Sequence, residues 1–197
     1  MTTYSVKLVN RDGLSDDEQQ RIQSSVQAKF DEAFQGTNDA VSVQWGAGTR
    51  DDNLVIHFVR DRDTANSYLR STFPTMREPP PYVGGHTHSH GALSGSELYR
   101  FALFRPVRQA DGSYTGHLRR IALADYGALA FHEALHNLLP FWPNDTNPDG
   151  TPNPGSLHNA AGGGGLAASH VGRDTRMTDM NKVLIRRGFS VRNPQVL

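Results

Sequence analysis

Between Tyr4 and Val59 the spacing of apolar residues switches from two to about four and back to two, an order that few folds accommodate. In "TYSVKLV" the residues Tyr4, Val6 and Leu8 alternate with Ser5 and Lys7, which sets the apolar group on one face of a half-buried strand. After Asp12-Gly13, Ser15 stands three residues before Glu18, the pattern of a capping box. Ile22, Val26, Phe30 and Phe34 then recur every fourth residue along one side of a helix. "VSVQW" and "LVIHFV" read as two further strands, separated by the turn-like "GAGTRDDN". Strand, helix, strand, strand is the opening of an α+β or α/β chain.

Downstream the signals are more local. Thr72 to Gly95, "TFPTMREPPPYVGGHTHSHGALSG", is dense in proline, glycine and histidine and reads as a long surface excursion. "LYRFALF" and "LRRIALA" read as strands around the hairpin-like "ADGSYTG", where Asp111-Gly112 marks the turn. A helix is predicted from an N-cap at Asp125 through "YGALAFHEALHNLL" to Pro140, whose missing N–H and ring clash end it. About thirty-five residues with little periodicity follow, then a short helix over "MTDMNKVLIRR" that Gly188 is expected to stop.

Composition narrows the chemistry. At 197 residues, with 37% hydrophobic content, the chain has the size of one domain able to bury a core, so residues 1–197 are read as a single unit. Twenty basic residues balance twenty acidic ones, which gives no footprint for nucleic acid or an anionic membrane. No cysteine is present, so disulfides and thiolate metal sites are excluded and any zinc must rest on histidine and carboxylate. The N-terminus "MTTYSVKLVNRDGL" lacks the pattern of a Sec signal, and no apolar run is long enough to span a bilayer. This fits a cytoplasmic protein, a mature form or one exported by a non-classical route.

The stretch with the sharpest chemistry is "FHEALHNLLPFW". His132 and His136, four residues apart on a helix, share one face, so their ring nitrogens can converge on a single ion about 2.0–2.1 Å from each. Glu133 lies about 100° round the helix, outside the ligand shell but within reach of a water polarised by that ion. Zinc and a general base so arranged hydrolyse amides. The competing reading is a pair of histidines satisfied within a helix face. HExxH arises by chance in roughly one chain of this composition in a hundred, and here it also sits on a helix with Leu129, Leu135 and Leu139 for burial, just after a strand.

"HEALH" on a helix, preceded by a β-rich region with one long helix, resembles the zincin metallopeptidases. The resemblance implies a small twisted mixed β-sheet packed on a long helix and on the HExxH helix, with an irregular C-terminal part, an α+β fold. It also implies that His132 and His136 bind zinc, that Glu133 is the general base, and that the substrate is a protein or peptide. The extended metzincin motif is absent, since Leu139 and Trp142 stand where that branch has a glycine and a histidine or aspartate. "GALSGSELYRF" is nevertheless similar to the glycine-rich edge strand that pairs with substrate in metzincins, and "TDMNKVL" after Met177 to their last helix.

A third zinc ligand is required, and the candidates are His158, His170, Asp174, Glu97 and the cluster His86, His88 and His90. The thermolysin-like branch has a glutamate about twenty residues after the second histidine. His158 lies twenty-two beyond His136, next to the glycine-rich "NAAGGGG", and is the preferred choice. His86, His88 and His90 alternate, so in a strand they would share a face and could bind metal together. The seven residues from His90 to Glu97 do not fit the spacing of a cupin. Arg173, Arg176 and Tyr126 are candidates for oxyanion stabilisation, whereas Met177, Met180, Trp45 and Trp142 read as packing residues. The expected activity is therefore a zinc endopeptidase. The alternatives are a zinc hydrolase of peptidoglycan or another non-protein amide, and a non-catalytic metal-binding interaction domain.

Overall fold

A computed structural model describes residues 1–49, 51–60, 85–88, 95–99, 104–108, 110–111, 114–120, 122–139, 147–151, 177 and 179–191. The alternating N-terminal segment forms strand β1 (Thr3–Arg11) and the fourfold-spaced segment helix α1 (Asp16–Phe34). The link between them is held by Asn10, whose side-chain oxygen accepts from the backbone N–H groups of Asp12, Gly13 and Leu14. Gly13 itself sits at a φ of 75°, a region that glycine enters without a Cβ penalty. Ser15 caps α1 in a complete capping box with Glu18, as the sequence predicts. Ile22, Val26, Phe30 and Phe34 all become buried.

Strands β2 (Ala40–Trp45) and β3 (Leu54–Val59) flank β1 in parallel. β5 (Gly95–Tyr99) adds in parallel to β3, and β4 (Gly85–His88) closes that edge antiparallel to β5, giving the order β2-β1-β3-β5-β4. β6 (Phe104–Arg108) and β7 (Tyr114–Arg120) form a separate antiparallel pair around the turn at Ala110 and Asp111. Helices α2 (Leu123–Leu138) and α3 (Asp179–Val191) complete the described elements. The fold is thus a mixed α and β one, a mixed sheet packed against α1 and α2. Among the described residues no helix is long and apolar enough to cross a membrane.

The period-2 pattern of the strands explains which sheet face meets the helices. Val6 pairs with Val43 and Leu54, and Leu8 with the partly buried Trp45 and with Ile56, so the core-facing positions of three strands fall into common rows. α1 and α2 lie over these rows. Phe30 of α1 meets Phe131 of α2 edge-on at 4.9 Å, and Tyr126 of α2 meets Phe58 of β3 at 5.5 Å. α3 brings Phe189 against Phe30, Phe34 and Tyr4. Its Arg186 donates to the carbonyls of Ala33 and Gln35, placing a cation at the negative end of α1.

Four expectations are corrected. The excursion from Thr72 to Gly95 contains β4, so "GHTH" is a strand rather than a loop. Among the described strands it is this one that stands at the sheet edge, while "GSELY", expected there from the metzincin resemblance, lies inside between β3 and β4. α2 begins at Leu123, with Ala122 as an N-cap that makes no side-chain bond, and Asp125 falls in the first turn. Gly188 does not end α3 but lies within it, because a Cβ there would come 2.7 Å from Leu138 Cγ and 3.1 Å from its carbonyl. Its missing side chain lets α3 approach the end of α2.

Candidate metal centre

α2 is rich in alanine and leucine, which lose little side-chain freedom in a helix. It stops where Leu139, held extended at φ −112° and ψ 87°, meets Pro140; the proline ring disfavours the helical region for the residue before it. Every residue from Tyr126 to Leu135 is buried, so α2 is a central helix rather than a surface one with a single apolar stripe. Its crossing with α1 is close. At Gly127 a Cβ would come 2.6 Å from Ser25 Cβ, and the Ser25 hydroxyl donates to the Ala124 carbonyl at 2.7 Å.

On this helix His132, Glu133 and His136 are brought together. His132 and Glu133 are 7% and 6% exposed, and His136 is half-buried, so the group sits at the margin of the core with one histidine toward the surface. The two Nε2 atoms are 3.1 Å apart, with the rings nearly perpendicular at 73°. Two ligand nitrogens on a tetrahedral zinc, each at about 2.05 Å, would be about 3.3 Å apart. The observed separation therefore fits two corners of such a site. It is also the length of a single N–H···N hydrogen bond, in which one neutral ring donates and the other accepts. A metal would take the place of that proton. Glu133 Oε1 lies 3.9 Å from His132 Nε2, beside the nitrogen pair.

The helix is pinned here from the sheet. Ser96 of β5, fully buried, donates through its hydroxyl to the Glu133 carbonyl at 2.8 Å. Nothing in the sequence singles out this serine. Only the parallel register, in which Ser96 is level with Ile56 on the apolar face of β3, reveals it. β4 also packs on α2, so the strand that carries His86 and His88 runs beside the histidine-bearing helix.

Among the described residues no third ligating side chain joins the two histidines. His158, His170, Asp174 and His90 lie outside the described residues, as do Arg173, Arg176 and Trp142. Tyr126 is fully buried, with its ring against Phe58. Met177 is part of the core, and its backbone N–H donates to Glu32 at 2.9 Å. Trp45 packs on Phe58 at 5.1 Å while its indole N–H donates to the Gln19 carbonyl.

Compared with protein-family models, curated proteins and solved structures, the chain matches none.

Proposed function

We propose that this chain is a zinc-dependent endopeptidase of the zincin kind, with His132, His136 and His158 as metal ligands and Glu133 as general base. The observation that carries the reading is the Nε2 pair at 3.1 Å with a buried carboxylate 3.9 Å from one of its members. The fold supports it, since a mixed sheet packed on a long helix and on the histidine-bearing helix is the layout that the resemblance implies. Zinc, when bound, supplies Lewis-acid polarisation of the scissile carbonyl and acidifies the attacking water. Glu133 has the complementary task of accepting that water's proton as its oxygen attacks. Hydrolysis must then deliver a proton to the departing amine, and the Glu133 carboxyl has just taken one. Burial of His132 and Glu133 restricts the freedom of both side chains, which lowers the ordering left for the reaction itself.

The test is the metal content of untagged protein, paired with digestion of casein or a mixed peptide pool with and without 1,10-phenanthroline. One equivalent of zinc at this helix and chelator-sensitive cleavage are expected. Protein that takes up no zinc and cleaves nothing after zinc supplementation sinks the proposal, and leaves the histidine pair as a buried hydrogen bond. His158→Ala is expected to lose most zinc affinity at this site while His170→Ala retains it. The reverse result moves the third ligand to His170.

A further inference from the structure

The sheet register assembles a second group of metal-binding residue types away from α2. His57 of β3 is level with Glu97 of β5, and Glu97 is level with His86 of β4. Three adjacent strands thus place histidine, glutamate and histidine in one cross-strand row. The neighbouring row is Ile56, Ser96 and Thr87, and its Ser96 hydroxyl reaches the Glu133 carbonyl under α2. Successive residues of a strand belong to opposite faces, so the row of His57, Glu97 and His86 belongs to the face turned away from α2. His88 lies two residues along β4 from His86, on the same face, and its register partner is Gly95, which has no side chain.

We propose that His57, Glu97 and His86, with His88 as the fourth donor, form a second, structural site for a first-row divalent metal such as zinc. Neighbouring strands lie about 4.8 Å apart, so the row spans about 10 Å from His57 to His86 with Glu97 level between them, a span that two imidazoles and a carboxylate can bridge through one shared ion. Imidazole with one carboxylate is a donor set that zinc accepts, and four protein ligands make a closed site with no position left for a substrate. The site also answers a need of the fold. Among the described strands β4, four residues long, pairs only with β5, and an ion held from β3, β5 and β4 would fasten that edge to the body of the sheet. The proposal is independent of the zincin reading, because none of these four residues belongs to HEALH.

Untagged full-length protein is stripped with EDTA, dialysed against micromolar zinc and assayed for bound metal, with circular dichroism as the check on folding. In the His132→Ala/His136→Ala double variant, one equivalent of zinc is expected to remain and to raise the melting temperature. Adding Glu97→Gln, or separately His86→Gln with His88→Gln on the edge strand, is expected to abolish that equivalent and the thermal shift. The edge-strand change keeps the test valid even where substitution within the sheet disturbs folding. A double variant that holds no zinc overturns the proposal, as does one whose zinc survives both further changes. Zinc that survives loss of HEALH but not loss of the row upholds this site whatever becomes of the proposed peptidase activity.

Discussion

Replacing Gly127 with alanine tests the crossing that seats the histidine-bearing helix. In an exposed helix interior this change stabilises by about 1 kcal/mol, because glycine carries the larger backbone entropy. Here the new Cβ would stand 2.6 Å from Ser25 Cβ, 2.8 Å from its oxygen and 3.0 Å from the Ile22 carbonyl. Carbon pairs prefer about 3.5–4.0 Å, so the two helices must part locally by about 1 Å. The obstructing atoms are a β-carbon and a backbone oxygen, which cannot swing aside as the tip of a long side chain can. The cost of overpacking therefore belongs in the upper part of its usual range, about 2–3 kcal/mol, and exceeds the propensity gain. A net loss of about 1–2 kcal/mol is expected in urea denaturation followed by circular dichroism. Pairing the change with Ser25→Gly should show a favourable coupling of about 1 kcal/mol or more, since the opposing Cβ is then gone. Measured stabilisation by Gly127→Ala, or strict additivity with Ser25→Gly, would show that the crossing has room for the added methyl group.

Glu133→Gln is expected to keep zinc and fold while hydrolysis falls by about 10²–10⁴-fold, because the amide cannot accept the water's proton; full activity in a kinetic assay removes Glu133 from the mechanism. His132→Ala and His136→Ala should each abolish the zinc equivalent at α2, as read by metal analysis of the His57→Gln/Glu97→Gln background; undiminished zinc there points to the hydrogen-bonded pair instead. Ser96→Ala removes a fully buried donor to the Glu133 carbonyl and is expected to cost about 1–3 kcal/mol, with unchanged thermal stability as the contrary result.

What could be read from the sequence was what local chemistry determines. α1 was legible because its cap, Ser15 with Glu18, and its stripe, Ile22 to Phe34, lie within one segment. The pairing of His132 with His136 was equally legible, because four residues are one turn of helix. β4 was not, since "GHTH" follows a run of prolines and glycines and becomes a strand only through the hydrogen bonds β5 offers it. Gly188 misled for a related reason: a glycine that would end an isolated helix is retained inside α3 because Leu138 occupies the space of its side chain. Ser96 gave no signal, because its role comes from a parallel register that sets it level with Ile56, forty residues earlier. His57 was likewise one more polar residue of an alternating strand until Glu97 and His86 came level with it.

The position of β4 has a consequence for how the chain assembles. Its sheet partner, β5, comes after it in the chain, and β5 in turn must first be laid on β3. During synthesis from the N-terminus, Gly85–His88 therefore leaves the ribosome before β5, its partner among the described strands, has been made. β1, between β2 and β3, is bonded on both sides before β4 can join. In amide hydrogen exchange β4 is accordingly the first strand of the sheet to open, through a local fluctuation rather than global unfolding, and β1 the last.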